Sequence, residues 1–179
     1  MARHKCFISY HKADQDEVIK FIKDFGKDGQ VFNYRAISEM DDNIVNSTDN
    51  DYIMRRIREL YLTDSTVTIV LVGKCTWARK YVDWEVMSSL RNDTNNKRSG
   101  LLAITLPSVA NSSSRKLPDR VKDNISVANG DEGYARWKKY PTSEKALEGW
   151  IEDAFNARTD RANLVNNSRA RRVNNGPCS

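Results

Sequence analysis

The sequence has few of the residues that build covalently linked or metal-bound scaffolds. Its 179 residues include three cysteines, Cys6, Cys75 and Cys178, and two histidines, His4 and His11. Three widely spaced cysteines indicate neither a disulfide framework nor a zinc cluster. We therefore expect no metal site, and we interpret Cys6 and Cys75 as small buried apolar residues rather than nucleophiles.

Long apolar runs are also missing. No stretch approaches the roughly 18 apolar residues that a membrane-spanning helix needs. The apolar segment that follows the N-terminal residues is about six residues long, which is too short for the core of a signal peptide. Because 39% of the residues are hydrophobic and 30% are charged, the composition is that of a soluble globular protein. We expect a cytoplasmic protein without a membrane partner.

The excess of positive charge lies near the C-terminus. The whole chain has a net charge of +5, but residues 161–179 hold four arginines and no acidic residue, so residues 1–160 have a net charge of only +1. Nucleic-acid-binding domains usually carry their positive charge on a folded face, so we do not expect a nucleic-acid partner. We interpret residues 1–160 as a single domain and residues 161–179 as a flexible, solvated tail.

Apolar patterns typical of strands and helices alternate along the chain. Strand patterns occur at Cys6–Tyr10, Val31–Tyr34, Thr66–Val72 and Leu101–Leu106, and we place a short edge strand near Asn124–Ala128. Helical spacing predicts helices after a capping box at Asp14 and Glu17, over residues 51–62, over residues 81–91, and after Thr142 or Ser143. This alternation predicts an α/β fold, namely a flavodoxin-like open parallel sheet with helices on both faces, which makes a three-layer sandwich.

In such a sheet, ligands bind beyond the carboxyl ends of the strands. The first predicted strand ends at Ser9, Tyr10 and His11, and the third is followed by Thr76 and Trp77. The next helix carries Tyr81 and Glu85, which are four residues apart and therefore share a face. We expect the other face of this helix, with Trp84, Met87 and Leu90, to pack on the sheet.

Most known phosphate-binding and hydrolytic motifs are absent. The sequence contains no G-x-G-x-x-G, no Walker A motif and no G-x-S-x-G elbow. The central strand ends in Val72-Gly73-Lys74, without the aspartate that a phosphate-accepting receiver domain needs. A single carboxylate, that of Glu85, remains near the strand-end crevice.

Two blocks of sequence resemble a known family. Phe7-Ile8-Ser9-Tyr10-His11 resembles the opening strand motif of TIR domains, in the variant found in the TIR-like ThsB proteins of bacterial Thoeris antiphage defence. The segments Thr66–Thr76 and Arg79–Val86 resemble the central strand of that family and the helix that bears its glutamate. TIR enzymes carry a tryptophan four positions before this glutamate, whereas this chain has Tyr81. The resemblance covers roughly residues 5–106.

The resemblance implies cleavage of NAD at the nicotinamide–ribose bond, with NAD as the substrate and no bound cofactor. The product would be a cyclic ADP-ribose-type signal that activates a separate effector protein. The same resemblance makes Glu85 the catalytic residue, and a neighbouring subunit or a phage-derived trigger would activate the enzyme. The residues that we expect to contact the substrate are Ser9, Tyr10, His11, Arg35, Thr76, Trp77 and Tyr81.

Several alternatives stay open at this point. The chain could be a non-catalytic TIR-like signalling module, or an enzyme similar to nucleoside deoxyribosyltransferases that uses a glutamate nucleophile. Without the resemblance, Glu85 would be interpreted as a solvated helix residue and Trp77 as a packing anchor. Trp84, Trp137 and Trp150 are expected in the core. The acidic segment 38–51 is either a solvated loop or a contact to a neighbouring subunit, through Glu39, Asp41, Asp42, Asp49 and Asp51.

Overall fold

Five parallel strands form one sheet. The computed structural model describes residues 3–26, 33–36, 48–57, 59, 62–94, 96–113 and 115–178. The strands are Lys5–Ser9 (β1), Asn33–Ala36 (β2), Val67–Val72 (β3), Gly100–Thr105 (β4) and Arg136–Lys138 (β5). Their order across the sheet is β2-β1-β3-β4-β5, and each neighbouring pair is parallel. The order reverses between β1 and β3, which is the switch point where α/β sheets bind ligands.

Helices cover both faces of the sheet. They are Gln15–Phe25 (α1), Asn50–Ile57 (α2), Lys80–Ser89 (α3), Asp119–Lys122 (α4) and Glu144–Asp160 (α5). One core lies between the sheet and α1 with α5, and a second lies between the sheet and α3 with α4. The predicted flavodoxin-like three-layer fold is therefore confirmed. No helix in the described part of the chain is both long and apolar enough to cross a bilayer.

The two central strands are the most completely buried part of the chain. All six residues of β3 and all six of β4 are buried. Their largely apolar sequences, β-branched for the most part in β3, suit strands that are covered on both faces. This is why the sequence pattern located both strands to within a residue or two.

Capping residues are predicted for two helices, and the two predictions differ in outcome. Helix α5 begins as predicted, because Ser143 Oγ accepts a hydrogen bond from the Ala146 amide at 3.2 Å. The capping box predicted for α1 is wrong. The carboxylate of Asp14 accepts from Thr76 Oγ1 at 3.3 Å, and Glu17 accepts from the Ser108 amide at 3.0 Å. Both acidic side chains therefore tie the start of α1 to segments that follow β3 and β4.

The edge strand lies elsewhere than predicted. It is β5, at Arg136–Lys138, whereas the segment predicted near Asn124–Ala128 contains only an isolated antiparallel bridge from Ser126 to Glu132. Asn124 is fully buried, and its side-chain amide donates to the carbonyl of Arg120 at 2.9 Å. A three-residue strand with two basic residues shows no apolar alternation, so the sequence pattern could not locate it.

The interpretation of residues 161–179 as a solvated tail is wrong. Residues 161–178, called the C-terminal segment below, pack along α3. The indole N–H of Trp84 donates to the carbonyl of Arg172 at 2.7 Å, and the Gly176 amide donates to the carbonyl of Ala78 at 2.7 Å. Backbone groups and arginines hold the segment in place. A composition argument that counts apolar side chains overlooks both.

A disulfide also fixes the C-terminal segment. Cys178 is bonded to Cys75, which lies just after β3, and their Cα atoms are 5.7 Å apart. The expectations that the sequence holds no disulfide and that Cys75 is only a buried apolar residue are therefore wrong. Cys6 is a buried free thiol, as expected. The structure thus joins the C-terminal segment covalently to the carboxyl edge of the sheet.

Candidate active site

Ser9 and Glu85 meet at the switch point of the sheet. Ser9 is the last residue of β1 and lies beside Val70 of β3 in the parallel register. Its hydroxyl donates a hydrogen bond to Glu85 Oε2, on α3. Both side chains are almost inaccessible, with 1% of Ser9 and 5% of Glu85 exposed. A carboxyl group is thus held inside the protein at the position where this fold binds ligands.

Burial raises the pKa of Glu85 to about 8, while the hydrogen bond from Ser9 acts in the opposite direction. Burial has this effect because a low-dielectric environment disfavours the charged carboxylate. At neutral pH the group is therefore mostly protonated. A positive charge placed beside it would favour the ionised form.

The buried face of α3 differs from the prediction. Val82 and Val86 belong to the core beneath the sheet, and so does Leu90, as expected. Trp84 is fully buried, but its indole points to the C-terminal segment. Because that segment covers the outer side of the helix, Trp84 is buried there instead of against the sheet. Glu85 lies on the same helix and is buried, so its interpretation as a solvated residue is also wrong.

Tyr81 keeps the predicted spacing to Glu85, but its ring contacts are on the outer side of the helix. The ring lies edge-on to Trp84, with 5.3 Å between centroids. Lys80 Nζ is 5.0 Å from the Tyr81 ring centroid. Tyr81 is half-buried, and burial raises the pKa of its phenol.

Tyr10 and His11 follow Ser9 in different environments. Tyr10 packs against the core on the α1 and α5 side, which is the opposite face of the sheet from Ser9. His11 is partly exposed, and both burial and the nearby positive charge of Arg79 lower its pKa. The imidazole is therefore neutral at physiological pH. Tyr10 therefore lies on the opposite face of the sheet from Glu85, whereas His11 is partly exposed two residues beyond the end of β1.

The side chain of Thr76 has a structural role in the loop after β3. It is fully buried, and its hydroxyl accepts a hydrogen bond from the Gly73 amide at 2.9 Å while donating to Asp14. A Cβ atom on Gly73 would overlap the carboxylate of Asp14. Burial raises the pKa of Asp14. The hydroxyl of Thr76 thus shapes the loop and has no hydrogen left to donate to a substrate.

Arg35 lies on the strand next to the one that carries Ser9, and Trp77 lies shortly after β3. Arg35 is in β2, where its backbone pairs with Phe7, and its side chain is outside the described atoms. Trp77 lines a cleft with Trp137, on the side of the sheet edge formed by β5. The expected placement of Trp137 in the core is wrong, since 39% of it is exposed. Trp150 packs, partly buried, on the α1 and α5 core.

Part of the acidic segment 38–51 has structural contacts. Asp49 caps α2 by accepting from the amides of Asp51 and Tyr52 at 3.0 and 3.1 Å. Asp51 pairs with Arg171 of the C-terminal segment at 3.0 Å. The predictions for Glu39, Asp41 and Asp42 fall outside the described residues.

No sequence motif singles out Arg79, which lies directly before α3. After burial, its positive charge is the second cause that lowers the pKa of His11, and it opposes the upward shift that burial gives the pKa of Asp14. The Nε atom of Arg79 is buried and has no hydrogen-bond partner among the described residues. An arginine before a helix gives no periodic signal, so only the three-dimensional arrangement reveals it.

The strand order and the buried carboxyl at the switch point define a flavodoxin-like α/β domain with a candidate site for a charged ligand. The family described as "Thoeris protein ThsB, TIR-like domain" matches residues 7–111. This range is more than half of the chain and includes both Ser9 and Glu85, so the protein belongs to the ThsB TIR-like family. The family membership indicates a role in Thoeris antiphage defence. No curated protein matches the chain.

Proposed function

We propose that the protein cleaves NAD at the bond between nicotinamide and ribose, with Glu85 as the catalytic carboxylate. The observation that carries this proposal is the buried carboxyl of Glu85, held by Ser9 at the switch point of the sheet. Nicotinamide leaves as a neutral molecule from a positively charged nitrogen, so the reaction needs no general acid. A single carboxylate can stabilise the oxocarbenium-like transition state.

The raised pKa of Glu85 suits this role. The nicotinamide ring carries a positive charge, and its approach favours ionisation of the carboxyl. The resulting carboxylate faces developing positive charge on the ribose inside a low-dielectric site, where charge–charge attraction is stronger than in water. Ser9 acts as a positioning residue, because its hydroxyl fixes one carboxylate oxygen.

Arg79 and His11 are our candidates for contacting the pyrophosphate of NAD. Arg79 supplies a positive charge beside the crevice, and its buried Nε–H lacks a protein acceptor in the described part of the chain. An arginine guanidinium can bind phosphate oxygens through two parallel hydrogen bonds. The neutral imidazole of His11 can donate one further hydrogen bond.

The family membership also supports a proposal about the product of the reaction and the partners of the protein. We expect a cyclic ADP-ribose-type nucleotide that diffuses to an effector protein. We also expect activity to depend on association with a second copy or with a phage-derived trigger. NAD is the substrate in this scheme, and the chemistry requires no bound cofactor or metal.

The deep burial of Glu85 also favours a second candidate. A carboxyl that is only 5% exposed and already hydrogen-bonded can be a structural group. In that case the protein would be a non-catalytic signalling module. An activity similar to that of nucleoside deoxyribosyltransferases is a third candidate, since those enzymes also use a single glutamate.

One experiment separates these functions. The purified protein is incubated with NAD or with deoxyribonucleosides, with and without lysate from phage-infected cells, and the released bases and nucleotides are identified by mass spectrometry. We expect nicotinamide release from NAD that Glu85→Gln abolishes. Glu148→Gln is the matched control, because it removes a carboxylate from α5, on the other face of the sheet. Nicotinamide release that persists in Glu85→Gln would refute the assignment, and no release under any condition would favour the signalling module.

A further inference from the structure

The geometry points to a second ligand site, which binds a nucleotide carrying two or more phosphates and is distinct from the crevice at Glu85. The site is a cleft of about 520 Å³ between the loop that precedes α4, α4 itself and β5. We call it the tryptophan cleft and define it by Trp77, Trp137, Arg115, Lys116 and Lys122. Its volume lies in the range of roughly 300–1,000 Å³ that is usual for small-molecule sites.

The tryptophan cleft lies away from Glu85 in the sheet. Glu85 contacts the end of β1, whereas Trp137 is in β5, and β3 and β4 lie between these two strands. Neighbouring strands are about 4.8 Å apart, so β1 and β5 are separated by roughly 14 Å. The end of the cleft at Trp137 is therefore separate from the Ser9–Glu85 contact.

Two aromatic rings line the tryptophan cleft. Trp137 is one of the few large apolar side chains that are exposed among the described residues, at 39%. Its indole N–H donates to Thr105 Oγ1 at 2.9 Å, which fixes the orientation of the ring. Trp77 is half-buried and lines the same cleft. An exposed ring in a fixed orientation is a suitable platform for a nucleobase, and base–aromatic stacking tolerates any base.

Positive charges lie directly beside both rings. Lys116 Nζ is 4.6 Å from the centroid of Trp77, and the guanidinium carbon of Arg115 is 5.9 Å from the centroid of Trp137. In the described part of the chain, neither cation has an ion-pair partner, and neither does Lys122. The acidic residue of the cleft is Asp119, which faces Arg172 at 3.7 Å.

A smaller cavity extends this positive surface. It has a volume of about 160 Å³, adjoins Trp137 and Arg115, and is lined also by Lys138 and Lys139. The combination of aromatic faces and unpaired cations matches a ligand with one flat base and a compact polyanion. Single-stranded nucleic acid shares this chemistry, but a cleft of about 520 Å³ suits a single small molecule.

Binding of ADP to the chain of residues 1–179, measured by isothermal titration calorimetry, tests this inference. ADP contains no nicotinamide, so the result does not depend on NAD cleavage. We expect ADP to bind more tightly than either adenosine or pyrophosphate alone. Trp137→Leu and the double variant Arg115→Gln/Lys116→Gln should each weaken ADP binding by about tenfold or more, because each removes one half of the recognition.

Two further variants serve as matched controls. Trp137→Phe retains a stacking ring and should keep most of the affinity, while Lys145→Gln removes an exposed charge from α5 and should leave it unchanged. Thermal melting of each variant checks that it folds. The inference is overturned if ADP does not bind, if the cleft variants bind as Lys145→Gln does, or if Ser9→Ala abolishes ADP binding and the cleft variants do not. Binding of a ten-nucleotide single-stranded RNA without binding of ADP would also overturn it.

Discussion

Arg120 and Asp83 form a buried, two-pronged ion pair between α4 and α3. Arg120 Nε donates to Asp83 Oδ1 at 2.8 Å, and Nη2 donates to Oδ2 at 3.2 Å. The remaining guanidinium hydrogens are donated to Asn167 Oδ1 and to the carbonyls of Arg169 and Ala170. All five N–H groups of Arg120 therefore have acceptors, and three of these acceptors belong to the C-terminal segment. The pair joins two helices and the C-terminal segment at one buried point.

Replacing Arg120 with alanine should strongly destabilise the protein. The change leaves Asp83 buried without its partner, and loss of one member of a buried pair typically costs about 3–5 kcal/mol. Urea denaturation followed by circular dichroism measures the free energy of unfolding. The control is Arg169→Ala, which removes a partly exposed ion pair with Asp123 and should cost about 1 kcal/mol or less. Equal effects of the two variants would contradict the role given to Arg120.

Reduction of the Cys75–Cys178 disulfide should lower the melting temperature. The bond connects residues that are 103 positions apart, and in the chain-entropy model a loop of this length stabilises the folded state by about 4–5 kcal/mol. Thermal melting with and without dithiothreitol measures the effect. Cys178→Ser should melt at the temperature of the reduced wild type and should not respond to dithiothreitol. A wild-type melting curve that dithiothreitol leaves unchanged would show that the bond does not stabilise the fold.

The contribution of Glu85 to the stability of the protein should fall as the pH rises from about 4.5 to about 8. The folded state binds the Glu85 proton more tightly than the unfolded state, because burial raises the pKa of Glu85 from 4.5 to about 8. This stabilisation is complete below the unfolded pKa and is lost as the pH rises through the folded one. A shift of this size corresponds to on the order of 3–5 kcal/mol.

The matched variant for this prediction is Glu85→Gln, which keeps the size of the side chain and cannot ionise. Urea denaturation from pH 5 to pH 9 should show the wild type losing stability relative to the variant. Parallel curves for the two proteins across this range would mean that the carboxyl is not buried in a protonated form.

If the proposed NAD cleavage holds, its pH profile should report the ionisation of Glu85. We expect kcat/KM for NAD to rise with pH and to level off above an apparent pKa near 8, since catalysis requires the carboxylate. Ser9→Ala should move this profile to higher pH, because the hydrogen bond from Ser9 favours the ionised form. A purely structural serine would lower activity equally at every pH.

Alanine substitutions at two glycines should have opposite effects. Gly73→Ala places a methyl group against the Asp14 carboxylate and should cost about 1–3 kcal/mol. Gly149 lies inside α5 with open space at its Cβ position, so Gly149→Ala should stabilise the protein by about 0.5–1 kcal/mol. Chemical denaturation of both variants measures the difference. A neutral Gly73→Ala would show that the loop after β3 adjusts freely.

The sheet and most helices could be predicted because burial on both faces leaves a strong sequence signal. The six buried residues of β3 form an apolar, largely β-branched run, and α5 has a clear apolar stripe. Glu85 was selected by its family resemblance, and its burial was not predicted. The sequence pattern favours packing of the neighbouring Trp84 on the sheet, which would leave Glu85 exposed. Nothing in the sequence indicates that another segment covers this tryptophan.

The parts that sequence reasoning missed depend on main-chain and charged groups. The C-terminal segment is held by carbonyl groups that accept from Trp84 and Arg120, and such acceptors are present at every residue of any chain. Strand β5 is three residues long and half-exposed. Periodicity carries no information about either feature, so only the folded arrangement could reveal them.

The region that defines the family is smaller than the unit that folds. The family match ends at residue 111, yet Asp83 and Trp84 inside it depend on Arg120 and Arg172 outside it for their buried hydrogen bonds. A fragment confined to residues 7–111 would expose the indole of Trp84 and leave the carboxylate of Asp83 without its partner. Both residues lie on the helix that carries Glu85. The modular boundary recognised in the sequence therefore cuts through the hydrophobic and ionic interior of the domain.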